Sequence, residues 1–313
     1  MNDLLFLEQQ DVRRLMDLDA LAEAIGAGLR DLSDRRASAP PRVAATTPSG
    51  FLAAMPGHLP GRALVTKLVT VFPGNDEVGL PSHQALIVLF EEDTGRPLAI
   101  MDGTHITAVR TAATSAVASK VLARAESSTL TILGAGAQGG SHLDAFGRSF
   151  DLREIRISSR EPARAEELAS RHPLARAVAS FEDAVRGADI VCCCTSSADP
   201  VIHRSWLTPG AHVVSVGTGV EVDPQTISAA RIFVEWRGAA ESPPPAGARE
   251  LQGLRGDEVT EIGEVLLGRR PGRESDDAIT LFKSTGHAVE DAAAAALVYR
   301  NAAANGAGRR IAL

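Results

Sequence analysis

Two hydrophobic rhythms divide the chain. Between residues 128 and 286, short apolar runs alternate with helical segments. Residues 129–133, 154–158, 177–178, 188–195, 212–216, 232–235 and 280–283 read as strands, and residues 141–149, 162–171 and 181–186 as helices between them. Continuous apolar strands alternating with helices are the pattern of a doubly wound parallel sheet covered on both faces. Before residue 115 the rhythm changes. A helix over 11–32, capped by Asp11, precedes strands at 42–44, 51–55, 64–71, 85–90 and 98–101, the last two joined by the turn Asp93-Thr94-Gly95-Arg96-Pro97. This predicts an α+β domain with a mainly antiparallel sheet. Residues 288–304 form an alanine-rich helix expected to return to it, so the predicted domains are 1–115 with 288–313, and 116–287.

One turn in the second domain carries chemistry. The strand Thr129-Leu130-Thr131-Ile132-Leu133 runs into Gly134-Ala135-Gly136-Ala137-Gln138-Gly139 and then a helix. In such a Gly-x-Gly-x-x-Gly turn the first glycine permits the tight bend, the second removes a Cβ from the phosphate path, and the third lets helix and strand approach. The helix N-terminus, with Ala137 and Gln138 in its first turn, offers free N–H groups and a partial positive charge to a pyrophosphate. The fold class expected is therefore α/β, a doubly wound parallel Rossmann sheet with a second α+β domain. About 20 residues on, where an acidic side chain commonly grips the adenosine ribose, the next strand ends in Ser158-Ser159-Arg160, with Arg164 one helical turn further. Hydroxyls and guanidinium groups suit a 2′-phosphate that a carboxylate would repel, so NADP(H) is favoured, with NAD(H) the alternative. Thr195 and Ser196, Val216 and Gly217, and Ser284 follow later strands at their carboxyl ends, where open α/β sheets bind ligands.

Composition removes other classes. The 313 residues carry a net charge of −7 with 4% aromatics, which gives no basis for nucleic-acid or membrane-surface binding. No apolar run is long enough to span a bilayer, and Met1–Glu8 lacks a basic n-region and a small-residue cleavage site. The three cysteines, Cys192-Cys193-Cys194, are consecutive on one apolar strand. Their side chains alternate between faces, so they read as small hydrophobes in a reducing cytoplasm and not as metal ligands. The histidines show no metal-binding spacing.

Candidate substrate residues lie in the first domain. Lys67 interrupts the apolar strand Leu64-Val65-Thr66-Lys67-Leu68-Val69, where a cation is costly unless it is paired or used; the bland alternative is a strand-end, snorkelling lysine. Arg42 follows Pro40-Pro41. Arg110 is expected to open a helix over 111–123, an unfavourable place for a cation that calls for an anionic partner, either Asp102 or a substrate carboxylate. Asp102-Gly103 reads as a turn and polar anchor, and His83 and His105 as local hydrogen-bonding groups.

Five ordered motifs enclose the glycine turn: Leu64–Val69, Leu80-Pro81-Ser82-His83-Gln84, Ile100-Met101-Asp102-Gly103, Ile106–Ala113, and Phe282-Lys283-Ser284-Thr285-Gly286-His287-Ala288-Val289-Glu290-Asp291. Together they resemble the ornithine cyclodeaminase/mu-crystallin family over nearly the whole chain, and the ketimine reductase branch more than the cyclodeaminases. The resemblance implies a nicotinamide-binding domain, a substrate and homodimerisation domain, and an active site in the cleft between them. It implies that Arg42, Lys67 and Arg110 bind a small imino or amino acid, and it places Thr111 with the cofactor residues. Cyclodeaminases of the family carry a basic Asp after the strand that ends Val-Gly; this chain reads Val216-Gly217-Thr218-Gly219, with Gly219 at that position. Glu221 and Asp223 correspond to a downstream Glu-Leu-Asp and not to a displaced base. The resemblance thus points to NADPH-dependent reduction of a cyclic imino 2-carboxylate. Ornithine cyclodeamination, an alanine-dehydrogenase-like reaction and a non-catalytic, crystallin-like binding role are the alternatives.

Overall fold

The computed structural model describes residues 3–217 and 219–312, so the expectations placed on Met1, Asn2 and Thr218 lie outside the described residues. The chain forms two compact units, Met1–Arg110 with His287–Leu313, and Thr111–Gly286.

The first unit begins with β1 (Asp3–Leu7), α1 (Gln9–Leu15) and α2 (Leu18–Ser33). The single helix expected over 11–32 is two helices, because Asp17 leaves the helical conformation and its carboxylate caps α2 by accepting from the N–H groups of Asp19 and Ala20. Asp11 caps nothing; it lies in the first turn of α1 and pairs with Arg14. The strands β2 (Val43–Thr47), β3 (Gly50–Leu59), β4 (Ala63–Val71), β5 (His83–Phe90) and β6 (Pro97–Asp102) follow, and from β3 on each pairs antiparallel with the one before. Along β4, alternation buries Ala63, Val65, Lys67, Val69 and Val71 on one face, so Lys67 takes a core position in the middle of the strand. β6 runs directly into α3 (Gly103–Leu122). The helix therefore starts eight residues before the position predicted for it. Asp102 is its anchor, accepting the N–H of His105.

The second unit holds the remainder of α3 from Thr111 on, then β7 (Thr129–Leu133), α4 (Ala137–Ser149), β8 (Glu154–Ser158), α5 (Pro162–Ala169), β9 (Ala175–Ala177), α6 (Phe181–Val185) and β10 (Ile190–Cys193). β11 (His212–Ser215), α7 (Pro224–Ala229), β12 (Arg231–Val234), α8 (Gly238–Glu241), β13 (Val259–Glu261), α9 (Ile262–Leu266) and β14 (Thr280–Lys283) complete it. All eight strands are parallel, in the order β13-β12-β14-β11-β10-β7-β8-β9. The order reverses between β7 and β10, the place where doubly wound sheets open to ligands at their carboxyl ends. Leu133, Val191, Cys193, Val213, Val234 and Leu281 belong to one apolar core of this unit. Burial pushes all three cysteine thiols well above the ordinary range, in keeping with their use as packing groups.

The chain then returns to the first unit as α10 (Ala288–Asn305), which packs on α2, β3 and β4, and ends in β15 (Arg309–Ala312). β15 pairs antiparallel with β1, and β1 lies parallel to β6, the one parallel pair in a seven-stranded sheet ordered β15-β1-β6-β5-β4-β3-β2. Among the described residues no helix is long and apolar enough to cross a membrane.

Candidate active site

In the second unit the candidate cofactor residues gather at the carboxyl ends of parallel strands. Gly134 leaves β7 at φ 103°, and a Cβ there would stand 2.5 Å from the carbonyl oxygen of Cys194. At Gly139 a Cβ would stand 2.1 Å from the Gly134 oxygen, so the start of α4 can press on the turn only without a side chain. Gly136 differs. It is exposed, and a Cβ on it would meet no protein atom within 4 Å. Packing does not demand that glycine; it clears a path in front of the α4 N-terminus, with Ala137 exposed and Gln138 half-buried behind it. Ser159 and Arg160 follow β8, with Arg160 exposed; Arg164, on α5, pairs with Glu161 at 3.0 Å.

Sequence reasoning missed the network that shapes the neighbouring loops. Glu221 is fully buried. Its carboxylate accepts from the Thr195 N–H at 2.6 Å, the Thr195 hydroxyl at 2.8 Å, the Ser215 hydroxyl at 2.7 Å and the Gly217 N–H at 2.8 Å. Lys283, also buried, donates to Ser215 Oγ at 2.9 Å and to the Gly217 carbonyl at 2.8 Å, and pairs with Glu250 at 2.9 Å. The Gly217 peptide is thus held at both ends, beside exposed Ser196 and half-buried Val216. After β14, Ser284 donates to buried Glu235, which also accepts the N–H groups of Thr285 and Gly286. Thr111, buried on α3, accepts at its carbonyl from Ser115.

The first unit brings Arg42, Lys67 and Arg110 into one electrostatic cluster. Lys67 donates to Asp291 Oδ1 at 3.0 Å and lies 2.8 Å from Oδ2, with both side chains buried. It is neither a strand-end nor a snorkelling residue. Arg110 is no helix opener either: it lies in the third turn of α3, and its anionic partners are not Asp102 but Asp291, through Nε at 3.0 Å, and Glu290, through Nη1 at 2.6 Å. Arg42, just ahead of β2 and half-buried, stands near enough that its charge helps depress Lys67, His83 and His287. Burial, then Arg110, brings the Lys67 ammonium down to about 8, against the pull of Asp291. Burial raises Asp291, but the charges and hydrogen bonds of Arg110 and Lys67 outweigh it and hold the carboxyl below its ordinary value. Lys67 and Arg110 are matched by the two buried carboxylates Asp291 and Glu290, and the charge of Arg42 adds to the positive potential around them.

Glu290 and Asp291 stood within a motif but received no role; two carboxylates opening an alanine-rich helix were the available signal. Lys283 was detectable by the rule that selected Lys67. Lys67, Lys120 and Lys283 are the only lysines among 32 basic residues, and two of the three are buried. Lys283 spends its donors on Ser215, Gly217 and Glu250 in little space, a use that suits a compact ammonium better than a planar guanidinium. Among the described residues no three His, Cys, Asp or Glu side chains gather as a metal site.

The chain is 41% identical to the ketimine reductase mu-crystallin of Mus musculus over 256 residues, 80% of each protein. The structure matches Delta(1)-pyrroline-2-carboxylate reductase of Thermococcus litoralis, solved with NADH and L-proline, with a TM-score of 0.92 at 30% identity, over 98% of this chain and 100% of that one. It matches an archaeal alanine dehydrogenase dimer with bound NAD with a TM-score of 0.90 at 33% identity, over 99% of each chain. The profile of the ornithine cyclodeaminase/mu-crystallin family covers residues 2–306, and the chain belongs to that family.

Proposed function

We propose that this protein is an NAD(P)H-dependent reductase of α-imino acids, and that its substrates are small cyclic ketimines bearing a 2-carboxylate. The observation that carries the reading is the Lys67–Asp291–Arg110 cluster: a buried ammonium and a buried guanidinium that share one carboxylate oxygen, with the Arg42 charge close by. Arg42 and Arg110 hold the substrate carboxylate. A nicotinamide dinucleotide fits the second unit, where the space before Gly136 and the α4 N-terminus would take the pyrophosphate, and when bound it supplies the hydride to the imine carbon. Lys67 gives the proton that the nitrogen needs. With its pKa at about 8 it is protonated at neutral pH yet gives the proton up readily. Ser159 and Arg160 after β8 support a preference for NADPH.

Gly219 argues against cyclodeamination. A Cβ there would stand 1.7 Å from the Ser197 carbonyl oxygen, which also accepts the Val220 N–H at 3.0 Å. The loop backbone fills the space a basic Asp would need. An alanine-dehydrogenase-like reaction, in which a 2-oxo acid and ammonia form the imine, is the second reading and is favoured by the likeness to the archaeal enzyme. Following NADPH oxidation at 340 nm against cyclic ketimines, 2-oxo acids with ammonia or amines, and ornithine separates these readings. Oxidation with ketimines supports the reductase; ammonia release from ornithine with catalytic NAD⁺ overturns it.

A homodimer is proposed through the outer face of the first unit's sheet. Val43, Ala54, Leu68 and Leu86 are cross-strand neighbours in one row over four strands, and Val43, Leu68 and Leu86 are exposed. Such a row on an open face is suited to a second copy, and the archaeal relative is a dimer. Leu68→Glu should convert a dimer to a monomer in sedimentation, and a wild-type monomer at micromolar concentration refutes the assignment.

A further inference from the structure

We propose that Asp291 is the positioning residue of this reaction, one buried carboxylate on α10 that holds the proton-donating ammonium of Lys67 and the substrate-binding guanidinium of Arg110 in fixed relation. The assignment rests on the imino-acid reduction proposed above. Its Oδ1 accepts from Lys67 Nζ and from Arg110 Nε, both at 3.0 Å. Lys67 comes from the middle of β4, Arg110 from α3 and Asp291 from the first turn of α10, so a single oxygen sets the spacing of two groups contributed by separate elements. Reduction of an imino acid needs that spacing. The carboxylate and the imine nitrogen sit on the same carbon, so the groups that bind one and protonate the other must be placed together.

The charged and titratable surroundings of Lys67 come from several directions. α10 presents Asp291 and Glu290, with His287 just before it; α3 presents Arg110, β5 presents His83, and Arg42 precedes β2. β3 places Met55 opposite Lys67. Burial, Arg110 and Arg42 all lower the lysine, whereas Asp291 raises it by charge and by hydrogen bonding. Neutralising Asp291 therefore has a defined sign: Lys67 loses its proton at lower pH, and the alkaline limb of the rate profile follows.

Three lysines make this measurable directly. Protein labelled with ¹³C at lysine Cε gives three signals, and Lys67→Arg identifies the one of interest. In the wild type it should titrate near 8. In Asp291→Asn the midpoint should fall by about one pH unit or more, and the alkaline limb of kcat/KM for a cyclic ketimine should move with it. An unmoved midpoint overturns the proposal, and so does a limb that stays in place while the midpoint moves. Absence of imine reduction in the wild type overturns the reductase reading instead, and the lysine titration reports on Asp291 separately. Should Asp291→Asn fail to fold, Asp291→Glu keeps the charge but displaces the oxygen. It should leave Lys67 titrating near the wild-type value while kcat falls about 10-fold or more; full activity in that variant overturns the proposal.

Discussion

Replacing two glycines of one turn by alanine should separate fold from cofactor binding. At Gly136 the backbone is extended, with φ −88° and ψ −162°, a conformation that alanine adopts without strain. A Cβ meets no protein atom there within 4 Å. Lower unfolded-state entropy stabilises by about 0.4–1 kcal/mol, and loss of a tolerated N-cap residue costs a similar amount, so stability should stay within about 1 kcal/mol. The new methyl would instead occupy the path to the α4 N-terminus. Loss of one or more hydrogen bonds to a charged phosphate, about 1.5–3 kcal/mol, weakens dinucleotide binding about 10- to 150-fold. Gly139→Ala acts the other way round. Its Cβ would sit 2.1 Å from the Gly134 oxygen, so helix and turn must separate by more than 1 Å. Overpacking of this kind costs about 1–3 kcal/mol, or about 2–12 °C in Tm for a domain of this size. Differential scanning fluorimetry and titration of nicotinamide fluorescence measure the two quantities. Equal destabilisation by both substitutions, or unchanged NADPH affinity in Gly136→Ala, would refute the assignment of that space to the pyrophosphate.

Three further outcomes are expected. Arg160→Asp should erase or reverse the preference for NADPH over NADH, read as the ratio of the two dissociation constants; an unchanged ratio removes Arg160 from the ribose site. Arg110→Lys should lower kcat/KM about 10- to 150-fold, since lysine cannot present the planar fork that reaches Asp291 and Glu290 as well as substrate, while NADPH affinity, set in the other unit, stays constant. Intact kcat/KM would make Arg110 purely structural. Acid should destabilise the protein before its carboxylates titrate. Burial lowers His142 to about 4 and His212 and His287 to about 3, so these imidazoles are neutral when folded and bind protons on unfolding below about 6.5. Their stabilisation is complete above that pH and is lost as pH falls toward the folded values, at up to about 1.4 kcal/mol per pH unit for each histidine. A Tm unchanged between pH 7 and 5 would show that they are not buried neutral.

Most of the second unit was legible because its signals are local; β13 and the short α7, α8 and α9 were not among the expected elements. Each apolar strand and its following helix repeat within about 30 residues, and the glycine turn specifies its own geometry. β1 and β15 escaped notice because each is short and gains its meaning only from distant partners, β15 from β1 about 300 residues away and β1 from β6 and β15. Arg110 was placed at a helix start because Asp102-Gly103 was read as a turn; the same two residues serve equally well as the anchor and first residue of a helix. The site divided along the same line. Lys67 betrayed itself by interrupting an apolar strand, but its carboxylate partner lies 224 positions away, and nothing in a single sequence reports such a pairing.

The scarcity of lysine fixes how the molecule responds to alkali. Most basic charge is carried by arginine, whose guanidinium keeps its proton throughout the alkaline range, and the sequence holds one tyrosine and three cysteines, all of the latter buried. Lys120 is the one lysine with an exposed side chain. Between pH 7.5 and 10 the surface therefore exchanges very few protons, and its electrostatic potential stays nearly constant. An alkaline inflection in activity, which in most enzymes must be divided among a dozen or more surface amines, here has a short list of possible sources with Lys67 at its head.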